Sequence, residues 1–347
     1  MAPDAPRITL FLPGLFTLPL RETPGALLAG LQLPTLGRLL ARATAVPVPA
    51  RGFEAALFHL FGHPTAEPPS AAAATAAMDK VVAAGRWVLR ADPVHLRTDI
   101  SKAVLFGPDT FALDAAEAAG LARDIAPLVT ARGWRLEVPV PTRWYLVADD
   151  PLTIEAESPK RLAGADVRRH LPGGPGGAPW RGLLNETQMT LHDHAVNQAR
   201  EARGEPVVNS LWIWGGGAPV VPGAHPWTAV WGGDDLLRAL AGAAWRGAPP
   251  AAAPPAGDMT PGAHLCMVED AWQAACYGDV EAWREALEAM ERNWLAPLEK
   301  ALRGGAIAEL VVQTETRRLA LDGRAARRWW RRPVVPAAVD LWEALER

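Results

Sequence analysis

The run His192-Asp193-His194-Ala195-Val196-Asn197-Gln198-Ala199-Arg200 is followed, after Gly204, by Val207-Val208-Asn209-Ser210-Leu211-Trp212-Ile213-Trp214 and then Gly215-Gly216-Gly217. Polar side chains bunch ahead of a short apolar strand, and three glycines come after it. A ligand site at the end of a buried strand has this layout. The pattern predicts a long helix over Leu183–Arg203, closed near Gly204, and a buried strand over Val208–Trp214. On such a helix His194, Asn197 and, more loosely, Arg200 fall near one face. An arginine beside asparagine and histidine donors suits a carboxylate or a phosphate. The same groups can equally cap the strand and join segments through buried hydrogen bonds. As metal ligands His192 and His194 are poorly spaced, because positions two apart on a helix point to different sides.

Outward from this stretch, helices and strands alternate. Ile8–Leu12 reads as a buried strand and Leu36–Ala43 as a helix with Leu36, Leu39 and Leu40 on one face. Trp87–Leu89 and Ala103–Phe106 read as short strands. Asp114 with Glu117 forms a capping-box signature for a helix reaching about Thr130. Arg135–Val140 and Trp144–Val147 are strand-like, Val280–Leu302 is an amphipathic helix, and Glu309–Thr314 is another buried strand. The order predicts an α/β protein with a mostly parallel sheet flanked by helices, in which Ile8–Leu12, Val208–Trp214 and Glu309–Thr314 share one sheet.

The chain has 347 residues, 49% of them hydrophobic, a mean hydropathy near zero and a formal net charge of −3. That length suits one large domain or two ordinary ones. The charge gives no global drive toward nucleic acid. Two cysteines, Cys266 and Cys276, make no disulfide framework and point to a reducing cytoplasm. Pro13, Gly14 and Pro19 interrupt the apolar start, which argues for a first strand rather than a signal peptide. No stretch is long and apolar enough for a transmembrane segment.

His194, Asn197, Arg200, Gly204, Pro206, Asn209, Gly215 and Gly217 together resemble, in order, a stretch of the archaeal-type cofactor-independent phosphoglycerate mutases of the alkaline phosphatase superfamily. Further resemblance lies in Phe53–Pro64, in Asp92–Asp99 and in Gly278-Asp279-Val280. The wording Asn209–Gly217 is similar to a bacterial subgroup, the RpfE-type regulatory proteins. The resemblance implies an alkaline-phosphatase-like α/β core, residues 1–84 and 192–347, interrupted by a smaller α/β lid over 85–191. It also implies that Arg97 reaches acidic groups of a substrate from the lid side, together with the cluster around Arg200. For Arg97, with Asp92 and His95 nearby, an ordinary surface salt bridge is the equal alternative.

The superfamily's chemistry needs a hydroxyl nucleophile and two metal ions held by Asp and His. At the positions the resemblance assigns to them, this chain departs from the pattern. The first strand ends Leu12-Pro13-Gly14 with no carboxylate. The nucleophile falls on Phe53, one ligand pair on Trp272 and Cys276, and the late pair on Glu315-Thr316. The expectation is therefore no catalytic residue, no metal ligand and no cofactor. What remains for ligand binding is His192, His194, Asn197, Arg200, Asn209 and Arg97. Their partner would be a small acidic or phosphorylated metabolite, or a protein. The alternative is an active mutase or other metal-dependent phosphotransferase or phosphatase with a relocated site using His192, Asp193, His194, Asp234 and Asp235.

Fifteen tryptophans are read mainly as core. The stretch Arg327–Arg332, with Trp329-Trp330 between arginine pairs, has the composition of a contact for single-stranded nucleic acid or an anionic membrane. The favoured reading is plainer, with arginine stems on apolar surface and their heads paired to Asp340 and Glu343.

Overall fold

The computed structural model describes residues 5–19, 27–50, 52–63, 70–81, 86–98, 102–151, 154–174, 177–218, 223–254 and 258–334. The chain divides into two compact units, residues 1–68 with 223–347, and residues 69–222. Strands are numbered along the chain.

The first unit is built on β1 (Arg7–Phe11), an apolar run buried along four of its five residues. It pairs in parallel with β10 (Ala263–Met267) on one side and β11 (Glu309–Gln313) on the other. Strand β8 (Trp227–Trp231) lies parallel to β10, and β9 (Trp245–Gly247) parallel to β8. Beyond β11, β12 (Arg317–Asp322) and β2 (Thr44–Pro47) add antiparallel edges, giving the order β2-β12-β11-β1-β10-β8-β9. The central strands read as nearly unbroken apolar runs because both of their faces are covered. On one face Leu10, Cys266, Leu310 and Val312 meet Leu36 and Leu39 of helix Pro34–Arg42, Trp283 and Leu287 of helix Val280–Met290, and Leu298 and Leu302 of helix Ala296–Gly304. Phe11 points to the opposite face and meets Phe53, which opens helix Phe53–Leu60. The expected mostly parallel sheet flanked by helices is what the first unit contains.

The expected helix Val280–Leu302 is present, with a π turn at Glu291–Leu295 between its two α segments. That turn carries Glu291, buried, onto the start of helix Pro34–Arg42. Its carboxylate accepts the backbone N–H groups of Thr35 and Leu36. The helix has Leu33 before it and no side-chain cap of its own, so Glu291 supplies the cap from a distant part of the chain.

The second unit holds β3 (Trp87–Thr98), β4 (Ala103–Phe106), β5 (Arg135–Val140), β6 (Arg143–Ala148) and β7 (Ser210–Gly217). Strand β3 pairs antiparallel with β4, β6 and β7, and β6 with β5. Helices Ala115–Thr130 and Gly177–His192 cover one face through Leu121, Ile125, Trp180 and Leu183 against Leu89, Trp144, Leu146 and Ile213. A buried charged network also ties these strands together. Arg90 pairs with Asp92, which accepts the Trp214 indole at 2.7 Å. Asp79 accepts both Arg143 and the Tyr145 hydroxyl.

Three expectations change. Val208–Trp214 was expected beside Ile8–Leu12 and Glu309–Thr314 in one sheet, but it pairs with β3 in the second unit. That pairing, and the bond from Ser70 Oγ to Gly215 O, lie within the second unit, residues 69–222. The single helix Leu183–Arg203 is two helices, Gly177–His192 and Ala195–Ala202, because His194 breaks the first and caps the second. Trp87–Leu89 is the start of a twelve-residue strand.

Replacing Glu291 with Ala leaves two buried N–H groups without an acceptor. The expected cost is about 2 kcal/mol, read as a lower urea midpoint with an unchanged slope.

Candidate functional site

Parallel pairing of β11, β1, β10 and β8 brings their carboxyl ends to one edge of the first unit, where ligands bind in open α/β sheets. At that edge β1 continues through Leu12 and Pro13 to Gly14, whose φ is +58°. Trp272, on helix Asp270–Tyr277, lies against it so closely that a Cβ on Gly14 would come 2.3 Å from the indole Cδ1. Glycine is therefore required by conformation and by contact. The Trp272 ring stacks on Phe53, centroids 5.3 Å apart and planes 19° apart, and Phe53 leans on Phe11 at 6.0 Å. Phe53 and Trp272 are both buried.

Beside the stack, Glu315 follows β11. Its two carboxylate oxygens accept the Gly14 N–H at 3.0 and 2.9 Å. Burial pushes its pKa above the ordinary carboxylate range and nearby Glu54 adds to the rise, while the bonds from Gly14 and from its own backbone act in the opposite direction. A cavity of about 210 Å³ opens here, lined by Gly14, Phe16, Thr17, Gly52, Thr314 and Thr316 among others. It offers hydroxyls, backbone groups and one carboxyl that resists ionising. Among the described residues, no group of three or more His, Cys, Asp and Glu is arranged to hold a metal ion. Rings, with neither lone pairs nor charge for a hard cation, stand where the resemblance assigned a nucleophile and a ligand, so these residues do not fit the family's two metals. Cys276 is half-buried. Cys266 sits inside β10, where burial pushes its thiol up to about 12, and it is no nucleophile near neutral pH.

The expected ligand-binding residues all lie in the second unit. His194 is the N-cap of helix Ala195–Ala202. Its Nδ1 accepts the Val196 N–H at 3.1 Å, which leaves the proton on Nε2, 3.1 Å from Asp124. Asn197 is buried and donates to the carbonyls of Leu191 and Val208 while accepting the Val208 N–H. Asn209 pairs with both backbone groups of Leu96. Arg200 has a side chain only 1% exposed. It gives its guanidinium to Glu117 at 2.7 Å and to the carbonyls of Pro206 and Ala112. Arg97 is exposed over the Phe106 ring, and His192 is exposed at the end of its helix. His194, Asn197, Arg200 and Asn209 thus tie helix, loop and strand β3 together. Arg97 and His192 stand apart from that seam on the surface. Asp234, of the relocated-site alternative, caps helix Asp235–Ala241 in the first unit.

Sequence reasoning did not anticipate Glu291 as a remote cap or the Asp79–Arg143–Tyr145 group. For the latter a signal existed in the alternation of Arg143 and Tyr145 on one face of a strand.

No family model matches the chain. A 78-residue stretch is 35% identical to the 2,3-bisphosphoglycerate-independent phosphoglycerate mutase of Methanosarcina barkeri, covering 22% of this chain and 20% of that protein. Over 87 residues it is 32% identical to the probable enzyme of that name in Geobacter sulfurreducens, covering 24% and 22%. Part of this chain is related to those mutases. The match spans about a fifth of the curated relatives' length. Among solved structures, the PH0037 protein of Pyrococcus horikoshii superposes with a TM-score of 0.50 at 14% identity over 92% of this chain and 87% of that one. The cofactor-independent phosphoglycerate mutase of Thermoplasma acidophilum gives 0.43 at 18% identity over 99% of each chain. At 14% identity the likeness to the PH0037 protein concerns the fold alone.

Two substitutions test these assignments. Arg200→Gln takes one of two arginines from Glu117, leaving Arg203 at 2.6 Å, and strips the Pro206 and Ala112 carbonyls of a donor, so it should cost about 2 kcal/mol of stability, measured by urea unfolding. A carboxyl whose pKa is raised by folding binds its proton more tightly in the native state, so it removes stability as pH rises above its ordinary value. Wild type should lose melting temperature relative to Glu315→Gln as pH climbs from about 4 to about 7.

Proposed function

We propose that this chain is a catalytically inactive relative of the phosphoglycerate mutases that works by binding, in the manner suggested by its resemblance to RpfE-type regulatory proteins. The observation that carries the reading is the Phe53–Trp272 stack at the carboxyl edge of the first unit's sheet. A ring in the nucleophile's position has no oxygen to receive a phosphoryl group, and a ring in a ligand's position cannot balance a divalent charge. Glu315 belongs to the same edge but spends both oxygens on Gly14.

The binding partner in this reading is a small acidic or phosphorylated metabolite, or a protein. The edge cavity adds a condition for the metabolite. An ionised Glu315 repels an anion, so an acidic ligand seated there binds better as the pH falls and the carboxyl takes a proton. His194 and Asp234, of the relocated-site alternative, are each engaged as a helix cap.

The test is to assay mutase and phosphatase turnover of the purified chain with added manganese or zinc, and to titrate it calorimetrically with 3-phosphoglycerate at two pH values. The expected result is no turnover, with any phosphoglycerate binding stronger at the lower pH. Turnover abolished by a chelator would overturn the reading.

A further inference from the structure

The first unit carries a second feature that the edge cavity does not explain. After helix Gly323–Ala326 the chain turns through Arg327-Arg328-Trp329-Trp330-Arg331-Arg332. Trp329 is 81% exposed and Trp330 63%. The turn is held in place rather than loose. Arg42 donates to Ala326 O at 2.9 Å, Arg331 to Ala41 O at 3.2 Å, and the Val334 N–H to Gly37 O at 3.1 Å. All three bonds fasten it to helix Pro34–Arg42.

Among the described residues, the charges around this tip are uncompensated. Arg324, Arg328 and Arg332 have no ion-pair partner among the described residues, and Arg327 donates to the Arg303 carbonyl, which leaves its charge intact. Arg327 also lines a cavity of about 580 Å³ with Arg38, Lys300 and Arg303. The one acid in that wall, Glu299, is already matched by Arg38 at 2.6 Å and Arg42 at 3.5 Å. The expected partners Asp340 and Glu343 lie outside the described residues. The plainer reading, arginine stems over a covered apolar surface, does not account for two tryptophans turned to solvent.

We propose that the Arg327–Arg332 turn, with the cationic cavity that Arg327 lines, is a docking surface for an anionic lipid bilayer. Tryptophan side chains settle at the boundary between headgroups and acyl chains, with an apolar body and an N–H for the wet side. Cations flanking such a tip are attracted to phosphate and carboxylate headgroups. A cationic concavity receives one headgroup while the tip inserts. Single-stranded nucleic acid needs the same charge, but it stacks successive bases on ring faces. Here Trp329 and Trp330 meet edge to face, planes 85° apart and centroids 6.2 Å apart, which offers no pair of parallel platforms.

The experiment is co-sedimentation of the full chain with vesicles of phosphatidylcholine alone and of phosphatidylcholine mixed equally with phosphatidylserine, at low and high salt. Binding is expected only to the mixed vesicles and only at low salt. Arg328→Gln with Arg332→Gln should weaken it about thirtyfold. Trp329→Ser with Trp330→Ser should weaken it at least about tenfold. Both pairs are on the surface, and unchanged thermal melting will show that they fold. Equal binding to neutral vesicles, no binding to either, or full binding by either variant overturns the proposal. So does tighter retention of a single-stranded oligonucleotide than of mixed vesicles at the same ionic strength, which would give the face to nucleic acid.

Discussion

Parallel pairing around β1 is the constraint from which the first unit follows. Parallel neighbours cannot be joined by tight turns, so every return path is a long crossover, and the helices that make those crossovers cover both faces of the sheet. The same geometry brings the carboxyl ends of four strands to one edge. Whatever the loops there carry is forced into proximity, which is how Gly14, Phe53, Trp272 and Glu315 meet although they are far apart in sequence. In most such folds that edge holds polar chemistry. In this chain it holds rings, a close glycine contact and a carboxyl that is reluctant to ionise.

The second unit shows how much polar side chain a fold can consume for itself. Arg200, Asn197 and Asn209 spend their hydrogen bonds on backbone groups and on Glu117, and Arg90 with Asp92 is a buried pair closed by the Trp214 indole. Each is satisfied, which is the condition under which buried charge and amide are tolerated. A polar cluster at this density marks a site when some of its valences point outward. Here those of the buried members point inward.

Elements with strong local signals were legible in the sequence. The capping box of Asp114 and Glu117 placed its helix at Ala115–Thr130, and the helical spacing of Trp283, Leu287, Met290 and Trp294 placed another. The apolar runs at β1 and β11 were likewise plain. Partnership between strands was not legible. Ser210–Gly217 is as apolar as β1, and nothing in its own residues says that it pairs with β3 rather than β1, because pairing is a long-range choice. The break at His194 was hidden for a related reason. A histidine can sit within a helix or cap one, and only the Val196 N–H decides between these roles. At the candidate site, the identities at 53, 272 and 315 could be read from the chain. That two of them would stack, and that the third would turn to the Gly14 amide, required the fold.

The Phe53–Trp272 stack also constrains the history open to this chain. A serine at 53 alone would leave a void under Trp272, and a carboxylate at 272 alone would be buried without a counter-charge. A side chain at position 14 alone would collide with the indole. Each single substitution toward a hydroxyl or a carboxylate at this edge destabilises the protein. Several must occur together to be tolerated, so the edge behaves as a ratchet, with a valley of poorly folded intermediates between its present packing and a polar one.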